Sequence, residues 1–295
     1  MTTLAVFTKN RLNPAYQAAR LAADRVAAEA GASTVHFVPQ KPDDVAEQKA
    51  LVEQAILTKP DAVVFVPVDD VAMVPDLAKF AAAGVPVVVC INRMAGNVVS
   101  FVGSDDVQVG YTAAKALFAG LGGQGAVVAS DGPPSAPTCR DRATGLEHAL
   151  KEFPGIALLG RECGMNLQAE GRTAMEKLLA RYTRIDGVWA ANDVMAYGVL
   201  DALDAAGRTA KVVGVNGLAE AIANVEKGRM LATVDFSAYK ICKFAAEAAV
   251  RHLRGEKVPA TILLPTVLID RSNVAAWKMP MEERSCPSWD EVIGR

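Results

Sequence analysis

This 295-residue chain predicts an α/β fold of two doubly wound parallel-sheet lobes, on three observations. Its length is about twice that of a usual domain. One pattern, an apolar strand ending in polar residues ahead of an amphipathic helix, occurs twice. It runs through Leu4–Thr8 into Lys9-Asn10-Arg11-Leu12-Asn13-Pro14, and again through Gly125–Ala129 into Ser130-Asp131-Gly132-Pro133-Pro134. Short β-branched runs and Ala-rich helical patterns then alternate along the chain, as expected of parallel strands joined by helical crossovers.

In order, the first series reads as strand Leu4–Thr8, helix Tyr16–Ala30, strand Thr34–Val38, helix Asp43–Thr58, strand Ala62–Val66, helix Val71–Ala83, and strands Val85–Ile91 and Val98–Val102. The second begins with helix Val107–Leu121, strand Ala126–Ser130, helix Cys139–Glu152, strand Ile156–Arg161 and helix Gln168–Arg181. It continues with strand Gly187–Ala190, helix Val194–Ala206, strand Val212–Val215, helix Ala219–Lys227 and strand Leu231–Val234. Pro60, Pro86 and Pro154 punctuate strand entries, and Gly31, Gly84 and Gly207 stand where helix C-caps belong.

The long helix Ala238–Arg254 is surplus to the second series and is expected to rejoin the first lobe; strand Val267–Asp270 follows. The expected division is therefore 1–104 plus 237–265 for the N-terminal lobe and 105–236 plus 266–295 for the C-terminal lobe. A three-strand hinge follows from it, with crossings near Ser104-Asp105, Phe236-Ser237 and Pro265-Thr266. From about residue 271 the tail carries Trp277, Pro280, Cys286, Pro287 and Trp289 without periodicity, and is expected to drape over one lobe.

Composition excludes several classes. Hydrophobic residues at 51% and charged residues at 22% suit two well-formed cores. A net charge of -2 with no basic stripe argues against a nucleic-acid surface. No apolar run approaches the roughly 18 residues of a membrane span. Cys90, Cys139, Cys163, Cys242 and Cys286 are odd in number and widely spaced, and read as small buried hydrophobes, with one disulfide left open.

Catalytic patterns are thin. Gly120-Leu121-Gly122-Gly123-Gln124-Gly125 fits GxGxxG but follows a helix and precedes a strand, the reverse of a dinucleotide site. Neither a phosphate loop of the GxxxxGK[ST] kind nor a GxSxG elbow occurs. His36, His148 and His252 lack ligand spacing, so no metal is expected. Ser237-Ala238-Tyr239-Lys240 matches SxxK without its companion motifs. No catalysis and no cofactor are expected.

What remains is a set of Asn, Asp and Arg residues at strand ends. Asn92-Arg93 follows one strand, Asn192-Asp193 another, Asn216 a third and Asp235-Phe236 a fourth, while Arg140 and Arg142 flank Asp141 on the opening turn of a helix. Each alone reads as a cap or a solvated loop. In a doubly wound fold such ends converge, and open α/β sheets bind ligands there.

The residues Asn13-Pro14 with Tyr16, Asn92-Arg93, Gly103-Ser104-Asp105, Cys139-Arg140-Asp141-Arg142-Ala143-Thr144-Gly145, Ala191-Asn192-Asp193-Val194-Met195-Ala196-Tyr197-Gly198 and Val213-Gly214-Val215-Asn216-Gly217 occur in order over residues 4 to 268. In them the chain resembles the ribose/galactose-type periplasmic sugar-binding proteins, the solute receptors of ATP-binding-cassette importers. The resemblance implies the type I periplasmic binding protein fold, shared with the effector cores of lac-repressor-type regulators. It also implies a ligand held by Lys9, Asn10, Asn13 and Tyr16 from the first loop, Asn92 and Arg93 from the fourth strand, and Arg142, Asn166, Asn192, Asn216, Asp235 and Phe236 beyond. Arg offers a planar fork of donors, Asn both donates and accepts, and Tyr16 gives an apolar platform.

The implied partners are a sugar, polyol or sugar acid and a membrane permease, with no nucleic acid, for a monomer in the periplasm whose leader has been removed. Sugar-binding relatives usually carry Asp where this chain has Asn92 and Asn216, and Gln where it has Phe236. Those differences bias the pocket toward positive charge. A regulator's effector core is the alternative reading, against which no helix-turn-helix precedes Leu4; a sugar-phosphate isomerase would need a general base and a phosphate cradle.

Overall fold

The computed structural model describes residues 1–294. The chain begins β1 (Thr3–Phe7), α1 (Pro14–Glu29), β2 (Ser33–Phe37), α2 (Val45–Leu57), β3 (Ala62–Phe65), α3 (Val74–Ala82), β4 (Val87–Cys90) and β5 (Ser100–Gly103). It continues with α4 (Asp106–Gly120), β6 (Gln124–Asp131), α5 (Pro137–Glu152), β7 (Gly155–Cys163), α6 (Gln168–Arg181), β8 (Gly187–Ala190), α7 (Asp193–Ala205), β9 (Lys211–Val215), α8 (Ala219–Lys227) and β10 (Ala232–Asp235). Then come α9 (Ala238–Leu253), β11 (Thr261–Leu263), β12 (Val267–Asp270), two 3₁₀ turns (Val274–Trp277 and Met281–Glu283) and α10 (Trp289–Ile293).

Two six-stranded sheets result, in the orders β11-β5-β4-β3-β1-β2 and β12-β10-β9-β8-β6-β7. β1 is buried on both faces, and its side chains alternate between two cores. Leu4 and Val6 join the core shared with α1, while Ala5 and Phe7 join one with α2 and α3. Helix α9 packs on α1, β3, β4 and β5, so it belongs with the first sheet; α4 packs on β8, β9 and β10 of the second. The chain therefore passes between the sheets after β5, after β10 and after β11.

Short-range chemistry explains most element ends. Asn13, Asp44, Asp105, Asn192 and Ser237 cap helices through side-chain oxygens, and Gly31, Gly84 and Gly207 follow helices in the left-handed region. Helix α3 starts three residues later than its apolar pattern, because Asp69 Oδ1 turns the chain by accepting from Val71 N and Ala72 N, with Pro75 opening the helix.

Three features depart from the sequence expectation. The second sheet is not wholly parallel, since β12 pairs antiparallel with β10, Val267 opposite Asp235. β10 runs toward the hinge and leads through α9 into the first lobe, whereas β12 re-enters the second lobe directly from β11 through residues 264–266 and so runs away from the hinge. β11 is an unexpected strand, aligned with β5 as Leu263 beside Gly103.

The tail, expected on one lobe, touches both. Its first turn packs on α8, and Lys278 pairs with Glu226. Arg284 Nη1 donates to Gly217 O at 2.7 Å. Trp289 then packs on α9, 6.3 Å from the Phe244 ring and under the Arg251 guanidinium at 4.7 Å. Among the described residues no helix is long and apolar enough to cross a membrane.

Candidate functional site

At the carboxyl ends of both sheets lies a small polar cavity between the lobes. From the first lobe it is lined by Asn13, Ala15, Tyr16, Ile91 and Ala238. From the second come Thr138, Cys139, Arg142, Asn166, Asn192 and Asn216, with Phe236 in the crossing segment.

Most polar side chains of the lining are held by hydrogen bonds to the surrounding protein. Asn13 is the N-cap of α1, its Oδ1 accepting from Ala15 N at 2.9 Å, and Asn10 Oδ1 in turn accepts from Asn13 N. Pro14 opens the helix, and Tyr16, one turn in, is buried. Thr138, Cys139 and Arg142 share one face of the opening turns of α5 by their i, i+3 and i, i+4 spacing. Arg142 Nε donates to Asp106 Oδ1 at 2.8 Å and Nη1 to Ala191 O at 2.9 Å, and the guanidinium lies 4.5 Å from the centre of the Phe236 ring. Asp106 is a buried partner: burial pushes its carboxyl up to about 6 against the pull of Arg142.

Asn192 caps α7, its Oδ1 accepting from Met195 N at 2.8 Å, and its Nδ2 donates to Asn166 Oδ1 at 2.8 Å. Asn166 adopts φ 60°. Cys139 Sγ approaches the same oxygen at 3.6 Å. Gly132 makes this meeting possible, because a Cβ there would lie 2.3 Å from Cys139 Sγ and 2.6 Å from Asn166 Oδ1. Asn216 Oδ1 is buried without a hydrogen-bond partner among the described residues.

Five expected ligand residues stand outside this lining. Arg93 is exposed and stacked 4.9 Å over the Phe101 ring. Asn92 is buried, but its Nδ2 donates to Pro67 O and its Oδ1 accepts from Thr138 Oγ1 at 3.1 Å, so it joins the lobes. Ile91, at φ 66°, turns the chain just before both. Lys9 faces Asp43 at 3.5 Å, and Asn10 serves as the brace of Asn13. Asp235 Oδ2 lies 3.5 Å from Lys240 Nζ. The expected positive bias is also reduced, since Arg142 is matched by Asp106 and Arg93 is absent from the lining.

Sequence reasoning missed Thr138 and Cys139 as lining residues and Asp193 as a support. The signal for the first two was their spacing from Arg142. Asp193 is fully buried, accepts from Leu218 N and Thr233 Oγ1, and holds the segment after Asn216; burial pushes its carboxyl up to about 7. The lobes are closed on each other, for Arg140 also reaches across to Asp70 at 2.5 Å.

Comparison with known proteins accords with this architecture. A family model described as a periplasmic binding protein domain matches residues 4–257. The ribose import binding protein of Bacillus subtilis (strain 168) is 33% identical over 268 residues, covering 90% of this chain and 85% of the relative. A periplasmic solute binding protein from Actinobacillus succinogenes, solved with bound D-allose, superposes with a TM-score of 0.88 at 26% identity, covering 93% of this chain and 99% of that one. A solute binding protein from Mycobacterium smegmatis, solved with bound glycerol, gives 0.88 at 29% identity, covering 93% and 96%.

Proposed function

The chain belongs to the periplasmic binding protein family, and from that premise we propose that it captures a sugar, polyol or related polyhydroxylated molecule between its lobes and delivers it to an ATP-binding-cassette importer. The observation that carries this reading is the buried cavity at the carboxyl ends of two sheets, walled by amides and one guanidinium and shut by contacts between lobes. The family consists of receptors rather than enzymes, and its members work outside the cytoplasm. In this reading the chain acts as a monomer, without catalysis, without nucleic acid, and in the periplasm.

The ligand set in this reading is Asn13, Tyr16, Arg142, Asn166, Asn192, Asn216 and Phe236, with Thr138 and Cys139 added. Asn10, Asn92 and Asp235 support it from behind. The lobes divide at 104/105, 236/237 and 265/266, and hinge at those three segments. Opening breaks the Thr138–Asn92 hydrogen bond and the Arg140–Asp70 pair.

A thermal-shift screen over sugars, polyols and sugar acids tests the function. A true ligand at 100 times its dissociation constant stabilises by about 2.7 kcal/mol. A complete panel without any shift would overturn the reading.

A further inference from the structure

The amides on the cavity wall are not free to choose which end they show. A backbone N–H can only donate, so Asn13 Oδ1 is committed to Ala15 N, and the end left over is Nδ2. Asn192 Oδ1 is committed to Met195 N in the same way. Its Nδ2 therefore donates to Asn166 Oδ1, and this relay leaves Asn166 with Nδ2 as its free end. Arg142 spends Nε on Asp106 and Nη1 on Ala191 O, and Nη2, which can only donate, has no partner among the described residues. Three groups of the lining thus keep an uncommitted N–H, while the oxygen of each amide already accepts a hydrogen bond.

Acceptors are scarce beside them. Among the described residues, no carboxylate lines the cavity. Acids behind the wall are engaged on at least one oxygen, Asp106 by Arg142, Asp193 by Leu218 N and Thr233, and Asp235 Oδ2 by Lys240 at 3.5 Å; Asp235 Oδ1 has no partner among the described residues but stands outside the lining. Asn216 Oδ1 and the hydroxyl oxygens of Tyr16 and Thr138 remain. A ligand hydroxyl brings a proton that needs an acceptor, and burying it without one is costly. A carboxylate or carbonyl oxygen brings none and can take several N–H groups at once.

Resting on the receptor reading above, we infer that the cavity selects polyhydroxylated ligands carrying an acceptor-only oxygen, a carboxylate or a carbonyl, held by Asn13, Asn166 and Arg142, over the corresponding alditols. The carboxylate and carbonyl forms share this chemistry, and a matched panel separates them.

The test is calorimetric titration of the full chain with the alditol, the aldonate and the aldonolactone of each five- and six-carbon D-series, with the parent aldoses alongside. The aldonate or the lactone of the preferred series should bind at least tenfold more tightly than its alditol. Asn166→Asp and Asn13→Asp turn an inward donor into an acceptor while keeping an oxygen for the relay or the helix cap. Each should lower that ratio at least tenfold, with melting temperature reporting that the variant is folded. An alditol that binds as well as or better than both oxidised forms overturns the inference, as does a ratio unchanged in both variants. Binding of aldoses alone overturns the inference but leaves the receptor reading standing, whereas no binding by any member overturns both.

Discussion

The two lobes share a plan and are packed by opposite means. On one face of the first sheet the core is aromatic. Phe7 stacks on Phe37 at 4.9 Å and meets Phe65 at 5.1 Å and Phe80 at 5.9 Å. In the second lobe the helices touch backbone to backbone. A Cβ on Gly110 would lie 2.0 Å from Arg142 O, and one on Gly145 would lie 2.1 Å from Val107 O. The α6–α7 pair repeats the device, with Gly198 at 2.1 Å from Gln168 O and Gly171 at 2.8 Å from Met195. The difference follows from where the ligand groups stand. Arg142 and Asn192 ride on α5 and α7, so a shift of either helix moves an atom of the site. The first lobe presents Asn13 and Ile91 from turns, and its Phe cluster lies on the far side of the sheet from α1.

The largest effect that would break this contrast is expected in the aromatic core. Phe80→Ala should cost about 3–5 kcal/mol of stability while leaving ligand affinity within twofold; denaturant unfolding and calorimetry read the two separately. A large loss of affinity would mean that the first lobe is as tightly coupled to the site as the second. Arg142→Ala should weaken binding roughly 10- to 100-fold, the range for a charged hydrogen bond of about 1.5–3 kcal/mol. An unchanged dissociation constant in the folded variant would show that Arg142 serves only Asp106. Gly145→Ala should cost about 1–3 kcal/mol through overpacking and, unlike Phe80→Ala, should also weaken binding, because the added methyl pushes α5 off α4. Gly145→Ala with normal affinity would remove the distinction between the lobes.

The last expected effect concerns pH. Burial raises the Asp193 carboxyl to about 7 in the folded chain, above its ordinary 3.8. The folded state therefore holds a proton that the unfolded state releases. The stability contributed is full below about pH 4 and is lost as pH rises through 7. From pH 5 to pH 8 the wild type should lose melting temperature relative to Asp193→Asn. Parallel curves in scanning calorimetry would show that Asp193 does not titrate in this range.

The strand–helix series was legible because β-branched runs and glycine caps act locally. β11 was not, since Thr261-Ile262-Leu263 has no period of its own and becomes a strand only beside Phe101–Gly103. Arg142, Asn192 and Asn216 could be read as cavity residues from their places at strand ends and a helix start, whereas Asn13 and Asn166 followed only from the family resemblance. Arg93 and Asn92 could not be told apart from them. The direction of each side chain depends on distant partners, Phe101 stacking under the one and Thr138 bonding the other across the cleft. The relay from Met195 N through Asn192 to Asn166, whose Asn192–Asn166 link joins residues 26 apart in sequence, is equally invisible to periodicity.

The tail has a mechanical meaning. Arg284 is fastened to Gly217, next to Asn216 of the cavity, and Trp289 to α9 of the opposite lobe. Five residue steps separate the anchors, and extended chain spans about 3.3–3.6 Å per residue. The strand between them can pay out only roughly 17–18 Å before it is taut. A leash of that length puts a ceiling on how widely this side of the cleft can gape while both fastenings hold. The ceiling is set by chain length rather than by the stiffness of the hinge, so lengthening the leash would widen the aperture without touching a single residue of the cavity.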